Sequence, residues 1–108
     1  MKDIKLQEAD RAEITVVIDN YTDMGLVDST EIVKRAPAIV ENRLSGAPLA
    51  EHGLSLLIKV FKDAQCHTLL FDTGWSNVGV PYNLKLYGTK LDEIESIVLS
   101  HGHLDHIG

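Results

Sequence analysis

Ser100-His101-Gly102-His103-Leu104-Asp105-His106 is the stretch that decides how this chain is read. Three of its five histidines fall within six positions, directly behind the apolar run Ile97-Val98-Leu99, which reads as a buried strand. A strand that runs into such a cluster fixes its first residues and lets the rest curl into a loop, so imidazoles and a carboxylate converge on one point. Neutral imidazole suits zinc, iron, nickel and copper, and one carboxylate with no thiolate beside it argues against a structural thiolate-rich zinc site. His101 and His103 are spaced to chelate one ion from the same side of an extended segment. Asp105 and His106, beyond the turn, are placed to face a second. Two ions roughly 3.5–4 Å apart clamp a hydroxide and lower the pKa of bound water. The competing reading is a His-rich surface loop that takes up metal adventitiously.

Upstream, the pattern is that of strands. Ile14-Thr15-Val16-Val17-Ile18 is rich in β-branched residues and ends at Asp19-Asn20, as a first strand does. Leu54 to Lys62 forms a second, and the polar turn Lys62-Asp63-Ala64-Gln65 leads to Thr68-Leu69-Leu70-Phe71-Asp72, giving a β-hairpin. Asp72-Thr73-Gly74 closes that strand with a carboxylate and a conformationally free glycine. Tyr82 to Gly88 and Leu91 to Glu95 read as short helical pieces. Trp75 is expected in core or semi-buried packing.

The insertion from Tyr21 to Gly53 is longer than a hairpin needs and reads as a lid or binding loop, or as a segment packed on the sheet edge. Asp28 with Glu31 resembles a capping box, and Ile32, Val33 and Ala36 give one apolar helix face that Pro37 ends. Ala38 to Leu44 is expected to add another turn or two of helix before Ser45-Gly46 and Pro48.

VLSHGHLDHIG, Val98 to Gly108, resembles the signature motif of the metallo-β-lactamase superfamily. LFDTG, Leu70 to Gly74, resembles the Asp-bearing strand end that precedes it there. AEHGLSLLI, Ala50 to Ile58, with VVIDN, Val16 to Asn20, further resembles a subgroup of metal-dependent hydrolases. That subgroup is related to a synthase acting on a phosphoribosyl aminobenzene substrate in methanopterin biosynthesis. The resemblance implies an α/β (α+β) fold, the N-terminal half of an αββα sandwich, with residues 1–108 as one partial domain.

It also implies metal ligation by His101, His103, Asp105 and His106, with Asp105 as the catalytic carboxylate. Asp72 is expected to support the cluster loop through hydrogen bonds, and His52 to sit near the site mouth where it meets substrate or acts as a turn residue. The implied cofactor is a divalent metal, zinc foremost, with up to two ions in the complete domain; iron and manganese are the alternatives. The family's later ligands would lie beyond Gly108, and His67 reads as an exposed residue at a strand start.

Composition sets the outer bounds. A chain of 108 residues with a formal charge of −6 and no basic cluster argues against nucleic acid or an anionic membrane as partner. Its single cysteine, Cys66, cannot form an internal disulfide, which fits a reducing compartment, and is expected to be a buried or semi-buried inert thiol. The start MKDIKLQEAD lacks the apolar stretch of a secretory signal, so a cytoplasmic location is expected. Two functions stand side by side. One is a metal-dependent hydrolase in which a metal-held hydroxide attacks an ester, lactam or phosphoester-type bond of a small molecule. The other is a truncated, non-catalytic metal-binding fragment that needs a partner half or forms a homo-oligomer.

Overall fold

The computed structural model describes residues 2–36, 39–40, 43–44 and 46–108. Strand β1 (Arg11–Ile18) is followed by the two-residue strands β2 (Ile39–Val40) and β3 (Arg43–Leu44), then β4 (Ser55–Lys62) and β5 (Gln65–Phe71). Helix α1 (Gly79–Leu86), a 3-10 turn over Leu91–Glu93, β6 (Ser96–Val98) and a second 3-10 turn over Leu104–His106 complete the order. The main sheet runs β1-β4-β5-β6, antiparallel except for the parallel pair β5 and β6. This is the mixed sheet with a helix of an α+β protein.

The antiparallel part follows from alternation, with Ile14 opposite Ile58 and Leu57 opposite Leu70. At the end of β1 the register slips, so that Val16 faces Leu56 while Ile18 faces Ser55. This bulge re-aims one residue, and both Val17 and Ile18 turn inward. They join Leu57, Leu70, Val80 and Leu84 in the core, with Ile94 packed against it. Buried Asn83 pins α1 to that edge: its Nδ2 donates to Val17 O at 2.7 Å and Leu49 O at 2.9 Å, and its Oδ1 accepts from Leu49 N at 2.8 Å. Gly88, at φ 74°, ends the helix as its sequence position predicts.

The opposite face of the sheet is apolar and open. Ile14, Ile58 and Leu69 form one row across it, and Val16, Leu56, Phe71 and Val98 the next. Ile14 and Val16 are 63% and 52% exposed, and the β4 and β5 members are half-buried.

Several expectations are corrected. The run Ile97-Val98-Leu99 is exposed rather than buried, because β6 lies at the sheet edge opposite β1, the strand against which α1 packs. The segment around Ile32 is not helical. Thr30 Oγ1 accepts from the N–H groups of Ile32 and Val33, and Ser29 Oγ from Arg35 N; hydroxyls bonding nearby backbone stabilise turns against helix. The helix expected over Ala38 to Leu44 is, at its described positions, a ladder pairing Ile39 with Leu44 and Val40 with Arg43; Pro37, Ala38, Glu41, Asn42 and Ser45 lie outside the described residues. Cys66 is exposed, since it stands near the hairpin tip, opposite Phe61. Trp75 is 52% exposed, on the loop that leads from β5 to α1. His67 is exposed as expected, bonded through Nδ1 to Glu95 at 2.9 Å.

Residues of the insertion between Tyr21 and Ala36, with Pro48 and Leu49, border a cavity with Val17 and Tyr87 that no residue of the histidine cluster lines. No helix among the described residues is long and apolar enough to cross a membrane.

Candidate metal centre

Parallel strands deliver their carboxyl ends to the same edge of a sheet, where open α/β folds place their ligands. Here β5 ends at Asp72 and β6 leads to Ser100, with Phe71 beside Val98 and Asp72 N bonded to Val98 O at 2.9 Å. Asp72 is fully buried and holds φ 57°, a left-handed conformation that Asp tolerates better than most residues. Its Oδ1 accepts from Ser100 N at 2.7 Å, and its Oδ2 from Ser100 Oγ at 2.7 Å and His106 Nδ1 at 2.6 Å. Burial pushes the carboxyl up, but the Ser100 backbone and hydroxyl bonds and the His106 contact outweigh it and hold its pKa below the usual value.

These bonds set tautomers. A carboxylate only accepts, so His106 Nδ1 carries a proton and Nε2 keeps its lone pair. With its proton given to Asp72, Ser100 Oγ accepts from His101 Nδ1 at 2.8 Å, leaving His101 Nε2 free to ligate. The second 3-10 turn then closes the loop: His106 N bonds His103 O at 3.0 Å, and Thr73 N and Thr73 Oγ1 both bond His106 O.

His101, His103 and Asp105 each bring one ligand atom to within 4.8 Å of the others. His106 stands beside them, its ring 4.2 Å from that of His101 and its Nε2 3.5 Å from Asp105 Oδ2. Two imidazoles and a carboxylate, with a third imidazole adjacent, are a donor set that fits a divalent transition ion.

His52 arrives from the start of the β4 segment. Its Nε2 is 3.3 Å from Asp105 Oδ2, and its ring meets Trp75 edge-on at 6.0 Å. Gly53, at φ 125°, lets that loop run against the cluster, with Leu54 N bonded to Asp105 O at 3.3 Å.

Two contributors escape a reading of sequence. Asn20 holds the His52 loop, its Oδ1 accepting from Gly53 N at 2.8 Å and its Nδ2 3.3 Å from His52 Nδ1. Its visible signals were a polar residue at a strand end and its place in the VVIDN stretch. Glu51 braces the neighbouring loop, accepting from Ser76 Oγ at 2.6 Å and from Ser76 N and Trp75 N at 3.2 Å. It falls within the AEHGLSLLI stretch, but that resemblance attached no role to it.

Burial raises the Glu51 pKa, but the Ser76 hydroxyl and the Ser76 and Trp75 N–H bonds bring it below its ordinary 4.5. Because folding lowers that pKa, the stabilisation is fully present above the unfolded value of 4.5 and is lost as pH falls through the folded one. Glu51→Gln is expected to cost about 1 kcal/mol at neutral pH. Thermal melts of the two proteins should draw together on acidification below that range; a gap that persists there would disconnect it from the carboxylate.

A family model described as the metallo-beta-lactamase superfamily matches residues 52–108, the segment that carries His52, Asp72 and the cluster. Over 59 residues the chain is 39% identical to 7,8-dihydropterin-6-methyl-4-(beta-D-ribofuranosyl)-aminobenzene-5'-phosphate synthase of Methanocaldococcus jannaschii, a match covering 55% of this chain and 20% of that protein. It is 37% identical over 68 residues to an uncharacterized protein of the same archaeon, covering 63% of this chain and 25% of the relative. The chain thus spans a fifth to a quarter of the length of these curated relatives. With the family match extending over more than half of its residues, the chain belongs to the metallo-beta-lactamase superfamily.

Proposed function

We propose that this chain supplies a divalent-metal centre for hydrolytic chemistry on a small molecule, with zinc as the first choice of ion and iron or manganese as alternatives. The observation that carries the reading is the convergence of His101, His103 and Asp105 to within 4.8 Å. These three residues would hold one ion, and His106 Nε2 would border it or a second. A divalent ion there supplies Lewis acidity and lowers the pKa of a bound water. The chain's own part is to aim the donors: Asp72 orients His106 directly and His101 through Ser100, and Asp105 offers a carboxylate to the reacting centre.

His52 and Trp75 stand at the exposed rim beside Asp105, where a substrate would enter. The relative named as a synthase makes bond formation, as well as ester, lactam and phosphoester hydrolysis, a reaction to assay.

Zinc uptake followed by elemental analysis and calorimetry tests the centre. His103→Ala is expected to abolish most binding, and unchanged metal content would remove the cluster from the argument. Little turnover is expected from the chain by itself, because attack geometry needs substrate held by surrounding walls.

The open sheet face belongs to the same proposal. Rows of apolar side chains run from Ile14 to Leu69 and from Val16 to Val98, with Ile14, Val16 and Val98 exposed; contiguous apolar surface of this kind marks an interaction face, and we assign it to a second copy of the chain. Sedimentation at micromolar concentration should show self-association. A stable monomer that binds no apolar dye would overturn the assignment.

A further inference from the structure

We propose that Asn20 and His52 form a positioning relay that presents an N–H donor to the Asp105 carboxylate. Two hydrogen bonds of Asn20 set the tautomer of His52, and proximity links that ring to Asp105. Gly53 N donates to Asn20 Oδ1 at 2.8 Å, so the amide cannot be flipped and its Nδ2 faces His52. An NH2 group only donates; His52 Nδ1, 3.3 Å away, therefore accepts and carries no proton. The remaining proton of the neutral ring sits on Nε2, which lies 3.3 Å from Asp105 Oδ2. One backbone N–H thus fixes an amide, the amide fixes a tautomer, and the tautomer puts the ring's protonated nitrogen 3.3 Å from Oδ2. The same carboxylate has an oxygen within 4.8 Å of ligand atoms of His101 and His103.

The order inverts the common arrangement in which a carboxylate orients a ligating histidine. Here an exposed histidine orients a ligating carboxylate, from a loop more than fifty residues upstream. Trp75 meets the same ring edge-on at 6.0 Å. The relay rests on the metal-centre reading for its consequence, but its tautomer exists without metal.

Long-range proton–nitrogen correlation of histidine-labelled, metal-free protein reads that tautomer, at a pH where the ring is neutral. His52 is expected as the Nε2–H form, and Asn20→Asp, which still accepts from Gly53 N but turns an acceptor toward Nδ1, should move the proton to Nδ1. A wild-type His52 protonated on Nδ1 overturns the relay. Cobalt titration reads the consequence. His52→Ala should weaken binding about tenfold or more and change the visible spectrum of the cobalt form, while metal-free melting stays put. His52→Gln, which restores an N–H donor, should recover most of the affinity. Wild-type affinity and spectrum in His52→Ala would overturn the proposal. Absence of cobalt binding in the wild type would instead overturn the metal-centre reading, and the tautomer measurement separates the two failures.

Discussion

Gly53→Ala is expected to be the most damaging single substitution in the chain. A Cβ at this position would lie 2.1 Å from the backbone oxygen of Asp105 and 3.0 Å from its carbonyl carbon, and neither atom belongs to a flexible side-chain end. The residue also holds φ 125°, which L side chains rarely adopt, at a cost of about 1–3 kcal/mol. Overpacking adds about 1–3 kcal/mol, so a total near 4 kcal/mol is expected, a large share of the ~5–15 kcal/mol typical of a folded domain. The collision pushes Asp105 away from His101 and His103, so metal affinity should fall with stability. Gly88→Ala is the control: its φ is 74° but nothing lies within 4 Å of the added carbon, and only the left-handed strain, about 1–2 kcal/mol, should appear. Urea unfolding of the pair, with zinc calorimetry on each, checks both. Equal losses would show that the contact with Asp105 is not the cause.

Asp72→Ala is expected to disable the site from within the fold. The carboxylate is fully buried and accepts from Ser100 N, Ser100 Oγ and His106 Nδ1. Its removal orphans these donors and frees both the His106 ring and the Ser100 hydroxyl that sets the His101 tautomer. A stability loss of about 3 kcal/mol is expected from charge-assisted bonds of this kind. Metal affinity should fall by about 10–100-fold, as when partners of metal-bound histidines are removed. Asp72→Asn keeps the shape, but its NH2 must face a donor on one side, so its stability should fall between the two. Urea midpoints and zinc affinities measure this directly. Wild-type zinc affinity in Asp72→Ala would mean that the cluster loop holds its geometry without the strand end.

The grouping of the four cluster residues near Asp72 was legible because the segment follows a strand with a sharp change from apolar to polar. The hairpin of β4 and β5 was legible for the same local reason, a period-two pattern broken by a polar turn. The insertion was misread as partly helical, since spacing at Ile32, Val33 and Ala36 carries no information on whether Thr30 and Ser29 will turn their hydroxyls onto the backbone. Trp75 was expected in packing because an indole is large and apolar, yet the Glu51 brace holds its backbone at the rim.

Sequence by itself determined the cluster of histidines and aspartate, the strands that flank it and the superfamily, because chain-local period and residue chemistry are written in neighbouring positions. Tertiary structure alone decided the contacts between distant positions. It set the bulge that buries Val17 and Ile18 together, the bond from Asp72 to a histidine 34 positions later, and the approach of Asn20 and His52 to Asp105. It also exposed β6, by placing that strand at an edge away from the helix. Such contacts depend on which strands pair and in what register, and pairing is settled by the packing of the whole sheet rather than by any one segment.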